Sequence, residues 1–431
     1  MVIYTVRNGD TLSNIARRYG VTAQSLQDDN ALSDPNALVV GQTLVIIKPQ
    51  VTYTVRAGDT LYSVAQAYGV SINQLMRNNP VLGGDTALVP GQVLKIKLPL
   101  PTGGQVQVNG YAYTFIDRAL LRSVLPYLTY LSIFTYGFRP DGELIDIDDG
   151  ELISLARQYG VAPVLHLSSL GEDGLFSVAL ATRALQNMEV QTQLIASVKQ
   201  KLQQTDYVGV DVDFEYVGRD NAQAYVDFIR RLREELSPLG YFVWVALAPK
   251  VRDDQEGALY EGHPYRALGE VSDAALLMTY EWGYAYGPAM AVSPLNQVRR
   301  VLNYATERIP PAQLFLGVPN YGYDWTLPYV AGESRARSLG NVEAVDLAWA
   351  RQAAISFDEQ SQAPTFRYFV RAGQGVTEHE VWFEDARSTS AMLRLIPEYG
   401  LRGMGIWNLM RPFPQLWLVL NSEYEIAKVL G

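Results

Sequence analysis

The stretch Val208-Gly209-Val210-Asp211-Val212-Asp213-Phe214-Glu215 places three carboxylates at every second position of an apolar segment. Valine and phenylalanine favour a strand, and the two-residue period of a strand directs Asp211, Asp213 and Glu215 to one face. The apolar residues between the acids indicate burial rather than exposure to solvent. The stretch therefore predicts a buried strand that carries three acids on one face.

Similar apolar runs recur on both sides of this strand, with amphipathic segments such as 222–236 between them. The eight runs are 106–110, 131–136, 163–167, 207–214, 242–248, 275–280, 315–319 and 403–407. Eight buried strands that alternate with helices predict an α/β fold of the (β/α)8 or TIM-barrel type, for which about 250 residues is typical. The long gap before the last run predicts a small α+β insertion at around 326–390.

The three acids cannot all ionise cheaply on a buried face, because desolvation and mutual repulsion raise the pKa of at least one of them. A carboxyl group that keeps its proton near neutral pH can act as a general acid. A calcium site or a salt-bridged surface strand is the alternative, but the flanking residues disfavour solvent and no EF-hand-like loop surrounds the acids. The pattern therefore favours a catalytic site.

The segment resembles the DGxDxDxE signature of glycoside hydrolase family 18, the chitinase family, with Val208 in place of the first acid and Phe214 in place of the usual Trp. The resemblance implies that Glu215 protonates the glycosidic oxygen and that Asp213 orients the acetamido group of the substrate for attack on the anomeric carbon. Asp211 would lie beneath Asp213 and tune its charge. Such substrate-assisted hydrolysis retains configuration and implies no cofactor and no metal.

Other strand ends agree with the same resemblance. Tyr280, in Met278-Thr279-Tyr280, would support the acetamido group, and Trp407 would form the apolar floor of the cleavage subsite. Core packing is the alternative for each aromatic residue in a chain with 27 tyrosines. The further candidates for substrate binding are Tyr111, Glu281, Trp282, Asn320 and Tyr321, of which Glu281 stands where the family often has Asp.

The first hundred residues contain a repeat, because YTVR at 4–7 and GDTL at 9–12 recur at 53–56 and 58–61. Each copy is typical of strand, helix, helix, strand, with Asp10 and Asp59 as candidate helix caps. The copies resemble the LysM domain, a βααβ module that binds N-acetylglucosamine units of peptidoglycan and chitin. We expect LysM domains at 1–49 and 50–98, a linker rich in Pro and Gly at 99–104, and a catalytic domain at 105–431.

Composition excludes several classes of function. The formal charge of −10 disfavours a grip on nucleic acid phosphates, and the chain has no cysteine for thiolate chemistry. The three histidines form no HxxxH pair, and no apolar run is long enough for a membrane span. The first residues do not resemble a signal peptide, so the sequence predicts a protein made without one.

The combination of a family 18 barrel with two LysM domains resembles spore peptidoglycan hydrolases of endospore formers. It predicts an N-acetylglucosaminidase that cleaves β-1,4 bonds in spore cortex fragments during germination and reaches the cortex or coat from the mother-cell cytoplasm. The expected partner is peptidoglycan or a chitin-like glycan, and the sequence identifies no protein partner. Two alternatives remain. One is a chitinase or chitooligosaccharide hydrolase, and the other is a non-catalytic sugar-binding barrel, which the presence of Asp211, Asp213 and Glu215 disfavours.

Overall fold

The N-terminal residues form two successive βααβ units. The computed structural model of the protein describes residues 1–172, 174–372 and 375–430. The first unit comprises β1 (Val2–Thr5), α1 (Leu12–Tyr19), α2 (Ala23–Asp29) and β2 (Thr43–Ile46). The second comprises β3 (Val51–Thr54), α3 (Leu61–Tyr68), α4 (Ile72–Asn78) and β4 (Val93–Lys97). The two strands of each unit pair antiparallel, and the helices cover one face of the pair.

A threonine, rather than an aspartate, begins the first helix of each unit. Thr11 Oγ1 accepts a hydrogen bond from the backbone amide three residues on at 3.2 Å, and Thr60 Oγ1 does the same at 3.0 Å. Asp10 and Asp59 instead accept from the tyrosine hydroxyl of the preceding strand, at 2.7 and 2.6 Å. The prediction that these aspartates cap the helices is therefore wrong, because their carboxylates fasten the strand to the loop.

A longer series of alternating strands and helices follows. Its elements are β5 (Gln105–Tyr113), α5 (Arg118–Val124), β6 (Tyr130–Phe138), β7 (Leu144–Ile145), α6 (Gly150–Gln158), β8 (Ala162–Ser168), α7 (Val178–Gln186), α8 (Met188–Gln204), β9 (Gly209–Asp213), α9 (Ala222–Leu236), β10 (Phe242–Leu247), α10 (Tyr265–Val271), β11 (Ala274–Leu277), α11 (Leu295–Thr306) and β12 (Leu314–Pro319). Within the described ranges, no helix has the length and apolar character needed to cross a membrane.

An antiparallel sheet with one helix interrupts the series before the last barrel strand. It contains β13 (Gly322–Leu327), β14 (Arg337–Leu339), α12 (Asn341–Ala350), β15 (Ser356–Asp358), β16 (Ala363–Ala372) and β17 (Gly375–Trp382), with the strands in the order β14-β13-β17-β16-β15. The chain then continues through α13 (Ala386–Tyr399), β18 (Gly403–Trp407), α14 (Pro414–Glu423) and β19 (Glu425–Ile426). This subdomain rises beside the C-terminal ends of β12 and β18, so it borders the mouth of the barrel.

Eight parallel strands close the barrel in the order β5, β6, β8, β9, β10, β11, β12 and β18, and β18 pairs with β5. Each of the eight apolar runs overlaps one of these strands, which confirms the predicted (β/α)8 fold. Tyr130, Trp244 and Phe315 fill the lower interior, and the rings of Tyr130 and Trp244 meet edge to face with centroids 4.7 Å apart. The lower interior of the barrel is therefore a packed core, so groups that act on a ligand are expected at the C-terminal ends of the strands.

The two N-terminal units pack directly on the barrel. Val45 and Ile47 of the first unit belong to the main apolar core. Gln415, in α14, donates to the backbone carbonyl of Thr43 at 2.7 Å, and Arg77 of the second unit donates to Asn421 Oδ1 at 3.0 Å. The units and the barrel thus share buried surface, and the connecting residues 99–104 are not their only attachment.

A buried asparagine fastens the second helix of each unit to its last strand. Asn30 Nδ2 donates to the carbonyls of Leu26 and Val45 at 3.0 and 2.9 Å, and its Oδ1 accepts from the Val45 amide at 2.7 Å. Asn79 makes the same three bonds in the second unit. Because unpaired polar groups are costly in a core, these amides fix the fold of both units.

We expect Asn30→Ala to destabilise the first unit by about 1–3 kcal/mol, because the Val45 backbone would lose its buried partners. Hydrogen–deuterium exchange should show faster exchange of the Val45 amide in this variant. Asn14→Ala, on the exposed face of α1, is the control and should leave that amide protected. Equal protection of Val45 in both variants would contradict this role of Asn30.

Candidate active site

Strand β9 brings the three acids to the open end of the barrel. Asp211 is fully buried, Asp213 is 7% exposed, and Glu215 follows the last strand residue by two positions and is half-buried. Tyr216 then adopts a positive φ of 53°, which turns the chain outward. The strand period therefore produces a ladder of carboxylates that rises from the barrel interior to its mouth, as the sequence predicts.

Asp211 is the innermost acid and is held by hydroxyl donors. Tyr111 donates to Asp211 Oδ2 at 2.6 Å, and Ser132 Oγ lies 3.4 Å from the same oxygen. Burial raises the pKa of Asp211, and the Tyr111 hydrogen bond opposes that rise. The balance between burial and hydrogen bonding therefore decides whether Asp211 keeps its proton.

Asp213 lies above Asp211, beside a buried histidine. His166 Nε2 is 3.6 Å from Asp213 Oδ2, and His166 Nδ1 is 2.7 Å from Thr135 Oγ1. Burial lowers the pKa of His166 to about 4, so the ring is neutral at pH 7 and the contact is not a salt bridge. Burial raises the pKa of Asp213, whose Oδ1 has no hydrogen-bond partner among the described residues. Asp213 thus holds a buried oxygen whose lost solvation no hydrogen bond from the described residues offsets.

Glu215 carries the outermost carboxyl group of the ladder. Burial raises its pKa most, and the negative charges of Asp213 and Glu281 raise it further. A carboxyl group in this environment keeps its proton at a pH where an ordinary glutamic acid has lost it. Glu215 can therefore donate a proton to a group bound in the cleft.

Tyr280 and Trp407 complete the floor around the acids. Burial raises the pKa of Tyr280 most, and the negative charges of Asp213, Glu215 and Asp211 raise it further. The Trp407 ring packs edge to face on Tyr111 and Phe134, at 5.8 and 4.9 Å between centroids. Both residues are half-buried, so each presents part of its surface to the cleft.

Glu281 stands at the mouth with a positive φ of 65°. Its Oε1 accepts hydrogen bonds from the hydroxyls of Tyr321 and, at 3.0 Å, of Tyr323. The residue as a whole is exposed, but burial of its carboxylate raises its pKa, and the hydrogen bonds from Tyr321 and Tyr323 oppose that rise. Glu281 therefore places a fixed, hydrogen-bonded charge beside Glu215.

Three of the predicted substrate-binding residues have other surroundings. Tyr111 is 2% exposed and supports Asp211 from below. Asn320 is buried and donates to the carbonyls of Asn408 and Arg411, both at 2.9 Å, so it joins β12 to the loop after β18. Trp282 packs on the main apolar core. Tyr111 and Asn320 thus have structural surroundings, whereas Trp282 is half-buried and keeps part of its surface uncovered.

Sequence reasoning missed several residues of the cleft. His166 pairs with Asp211 in the register of β8 and β9. Its position two residues before Ser168, on the interior face of the strand, was the signal that could have placed it near the acids. A group of exposed aromatic residues also follows the strands β5, β8, β9 and β11, namely Phe115, Phe176, Tyr216, Tyr284 and Tyr286. Among the described residues, no group of three or more His, Asp or Glu side chains is arranged to hold a metal ion.

Comparison with known proteins agrees with this geometry. Residues 166–411 match glycosyl hydrolases family 18, and residues 4–46 and 53–97 match the LysM domain. The chain is 40% identical to the cortical fragment-lytic enzyme of Bacillus subtilis (strain 168), over 99% of both chains. The crystal structure of the Bacillus megaterium QM B1551 spore cortex-lytic enzyme SleL matches with a TM-score of 0.82 and 37% identity, over 99% of both chains. The chain belongs to glycoside hydrolase family 18.

As a family 18 glycoside hydrolase with two LysM domains, the chain departs from the family signature at two positions. Phe214 stacks on Phe228 and Tyr225, with centroids 5.5 and 5.8 Å apart, in the layer between β9 and α9. Val208 precedes β9 and packs at the lower interior. Both departures lie away from the carboxylates, so they change packing and leave the acid ladder intact. A chitinase structure from Chromobacterium violaceum, 23% identical with a TM-score of 0.68, shares the fold.

We expect Glu281→Gln to lower the pKa of Glu215, because removal of a nearby negative charge makes ionisation of Glu215 easier. Since a general acid works only while protonated, the alkaline limb of the pH profile of hydrolysis should move to lower pH. Glu333→Gln, on an exposed loop, is the control and should leave the profile in place. An unmoved or alkaline-shifted limb in Glu281→Gln would show that this charge does not act on the proton donor.

Proposed function

We propose that this family 18 enzyme is a retaining N-acetylglucosaminidase that cleaves β-1,4 bonds in peptidoglycan, with spore cortex fragments as its substrate. The observation that carries the proposal is the half-buried Glu215, whose raised pKa keeps it protonated, directly above Asp213 with one oxygen unpaired. Substrate-assisted glycoside hydrolysis needs a proton donor and a hydrogen-bond acceptor that orients the acetamido group. Glu215 and Asp213 can supply these two groups.

In the first step, Glu215 gives its proton to the glycosidic oxygen as the bond between that oxygen and the anomeric carbon breaks. The acetamido carbonyl oxygen of the same sugar attacks the anomeric carbon from the opposite face and forms an oxazolinium ring. Asp213 accepts a hydrogen bond from the amide N–H and balances the positive charge that develops there. Tyr280, whose hydroxyl lies among the three acids, steadies the carbonyl side of the acetamido group.

In the second step, the ionised Glu215 takes a proton from water while the water oxygen attacks the anomeric carbon. The ring opens, the acetamido group is restored and Glu215 is protonated again. Two attacks on opposite faces leave the configuration unchanged. Asp211 acts on the reaction only through Asp213, since it is fully buried and its Oδ2 accepts a hydrogen bond from Tyr111.

The shape of the cleft supports a polymeric substrate. The exposed aromatic residues at the strand ends offer apolar faces on which successive pyranose rings can lie. The LysM domains supply a second grip on the same polymer, which raises its local concentration near the barrel. Cortex is favoured as the source of that polymer because several relatives that span nearly the whole chain are named for cortex lysis. We propose a location in the spore for the same reason.

We expect Glu215→Gln to lower kcat by at least about 1000-fold while sugar binding is preserved, because the amide keeps the shape of the acid but cannot give up a proton. Steady-state kinetics on soluble fragments and titration of binding would measure the two effects separately. Glu256→Gln, on an exposed loop, is the matched control and should turn over normally. Normal turnover in Glu215→Gln would remove Glu215 from its role.

Mass spectrometry of the products from purified cortex fragments tests the substrate. The proposal predicts fragments that end in N-acetylglucosamine, with retained anomeric configuration, and no cleavage of the same fragments after de-N-acetylation, because the nucleophile would be gone. Chitin oligomers run in parallel decide between cortex and chitin. Faster cleavage of chitin oligomers would favour a chitooligosaccharide hydrolase, and cleavage of de-N-acetylated fragments would overturn the substrate-assisted step.

A further inference from the structure

The loop between β10 and α10, residues 248–264, lies against the turn that follows Glu215. Glu261 of this loop accepts a hydrogen bond from Arg219 Nη2 at 2.8 Å. Gly262 packs so closely on the turn that a Cβ would lie 2.5 Å from Val217 Cβ, so a larger residue would push the turn away. The loop therefore supports the chain immediately after the proton donor.

His263, near the end of this loop, joins β9 to β10 beyond the point where their pairing ends. The parallel register of the two strands stops at Val212 and Val245. Past it, the fully buried ring of His263 contacts both chains. The Ala248 amide donates to Nδ1 at 2.9 Å, and Nε2 lies 3.1 Å from the Phe214 carbonyl oxygen. The imidazole thus continues the connection between the strands up to the residue before Glu215.

These two contacts fix the protonation of the ring. Because the Ala248 amide can only donate, Nδ1 carries no proton, and Nε2 carries the proton that it donates to Phe214. Burial lowers the pKa of His263 to about 4, and the charge of Lys250, whose Nζ lies 3.3 Å from the His263 carbonyl oxygen, also lowers it. The ring is therefore neutral at pH 7, and both of its nitrogens are occupied by backbone groups.

The Glu215 carboxyl group has no hydrogen bond of its own to fix its direction. Its pKa responds to burial and to the charges of Asp213 and Glu281, and no hydrogen bond from the described residues reaches it. Its direction therefore depends on the backbone. The Phe214 carbonyl belongs to the same planar peptide unit as the Glu215 nitrogen, so a bond to that carbonyl orients the start of Glu215.

We propose that His263 is a positioning residue for Glu215, because its neutral ring ties the Phe214 carbonyl to the Ala248 amide and so fixes the direction in which the Glu215 carboxyl group enters the cleft. This inference rests on the proposed function, since it assigns the support of the proton donor in that reaction. A displacement of about 1 Å can slow a reaction about 100-fold, so the loss of this support should be measurable.

Two substitutions of the full chain separate the two bonds of the ring. In His263→Asn, Oδ1 can take the place of Nδ1 and accept from Ala248, but no donor reaches Phe214. In His263→Gln, the side-chain amide can still donate to Phe214. We expect His263→Asn to lower kcat on soluble cortex fragments about 10- to 100-fold with KM changed by less than about twofold, and His263→Gln to keep kcat within about threefold.

Thermal unfolding of each variant measures how much stability is lost. Ser272→Ala is the control for stability, because it removes a buried hydrogen bond to the Leu268 carbonyl at the end of α10 and leaves the turn after β9 untouched. This control should unfold at a lower temperature and keep its kcat. A loss of kcat in Ser272→Ala equal to that in His263→Asn would overturn the inference, because lower stability alone would then be sufficient.

The pH profile of hydrolysis is a readout that lower stability alone does not move. If the Glu215 carboxyl group tilts toward solvent in His263→Asn, its burial decreases and its pKa falls, so the alkaline limb should move to lower pH. The groups that face Glu215 stay the same in this variant, namely Asp213, Tyr216, Tyr280 and Glu281. In His263→Gln the limb should stay in place.

An unchanged kcat with an unmoved alkaline limb in His263→Asn, or equal losses in the two His263 variants, would overturn the inference while the hydrolase proposal stands. If His263→Asn does not fold, His263→Gln decides: a kcat within about threefold supports the inference, and a larger loss overturns it. Full activity of Glu215→Gln would instead overturn the proposed function, so the two failures are distinguishable.

Discussion

The burial of the Asp211 carboxylate inside a closed barrel is the constraint on which the active site depends. An ionisable group in a core is tolerated only where hydrogen bonds or a proton compensate for lost solvation. Tyr111 from β5 and Ser132 from β6 supply hydroxyl donors, so β9 can carry acids only when strands across the barrel have closed around it. The fold and the site therefore form together. Once Asp211 is fixed, the strand geometry also fixes the positions of Asp213 and Glu215.

The charge states along the ladder of carboxylates depend on how deeply each residue lies in the barrel. His166 stays neutral at the inner level because burial lowers its pKa, and it positions Asp213 without neutralising it. At the mouth, Glu281 is held by Tyr321 and Tyr323 and adds a negative charge beside Glu215. The inner residues thus keep Asp213 available as a hydrogen-bond acceptor, and the outer residues keep Glu215 protonated as a proton donor. The segment that begins with β9 therefore supplies both chemical roles.

Strand alternation in 208–215 was sufficient to predict the ladder, and the apolar runs predicted the eight strands, because both depend on local periodicity. The surroundings of Tyr111 and Asn320 could not be predicted in the same way. Each follows an apolar run as a substrate-binding residue would, and only the closed barrel shows that their polar groups face Asp211 and the loop after β18. His166 and the aromatic residues at the mouth were missed because their partners lie on other strands.

Docking of the LysM domains changes what the N-terminal repeat can do for the enzyme. A flexible tether would let both domains search for polymer independently, with a benefit set by linker length. Here Val45 and Ile47 enter the main core and Arg77 reaches Asn421, so the orientation of each domain relative to the cleft is constrained. Repetition in sequence therefore does not imply equal surroundings, because Tyr159 of the barrel packs against the second domain.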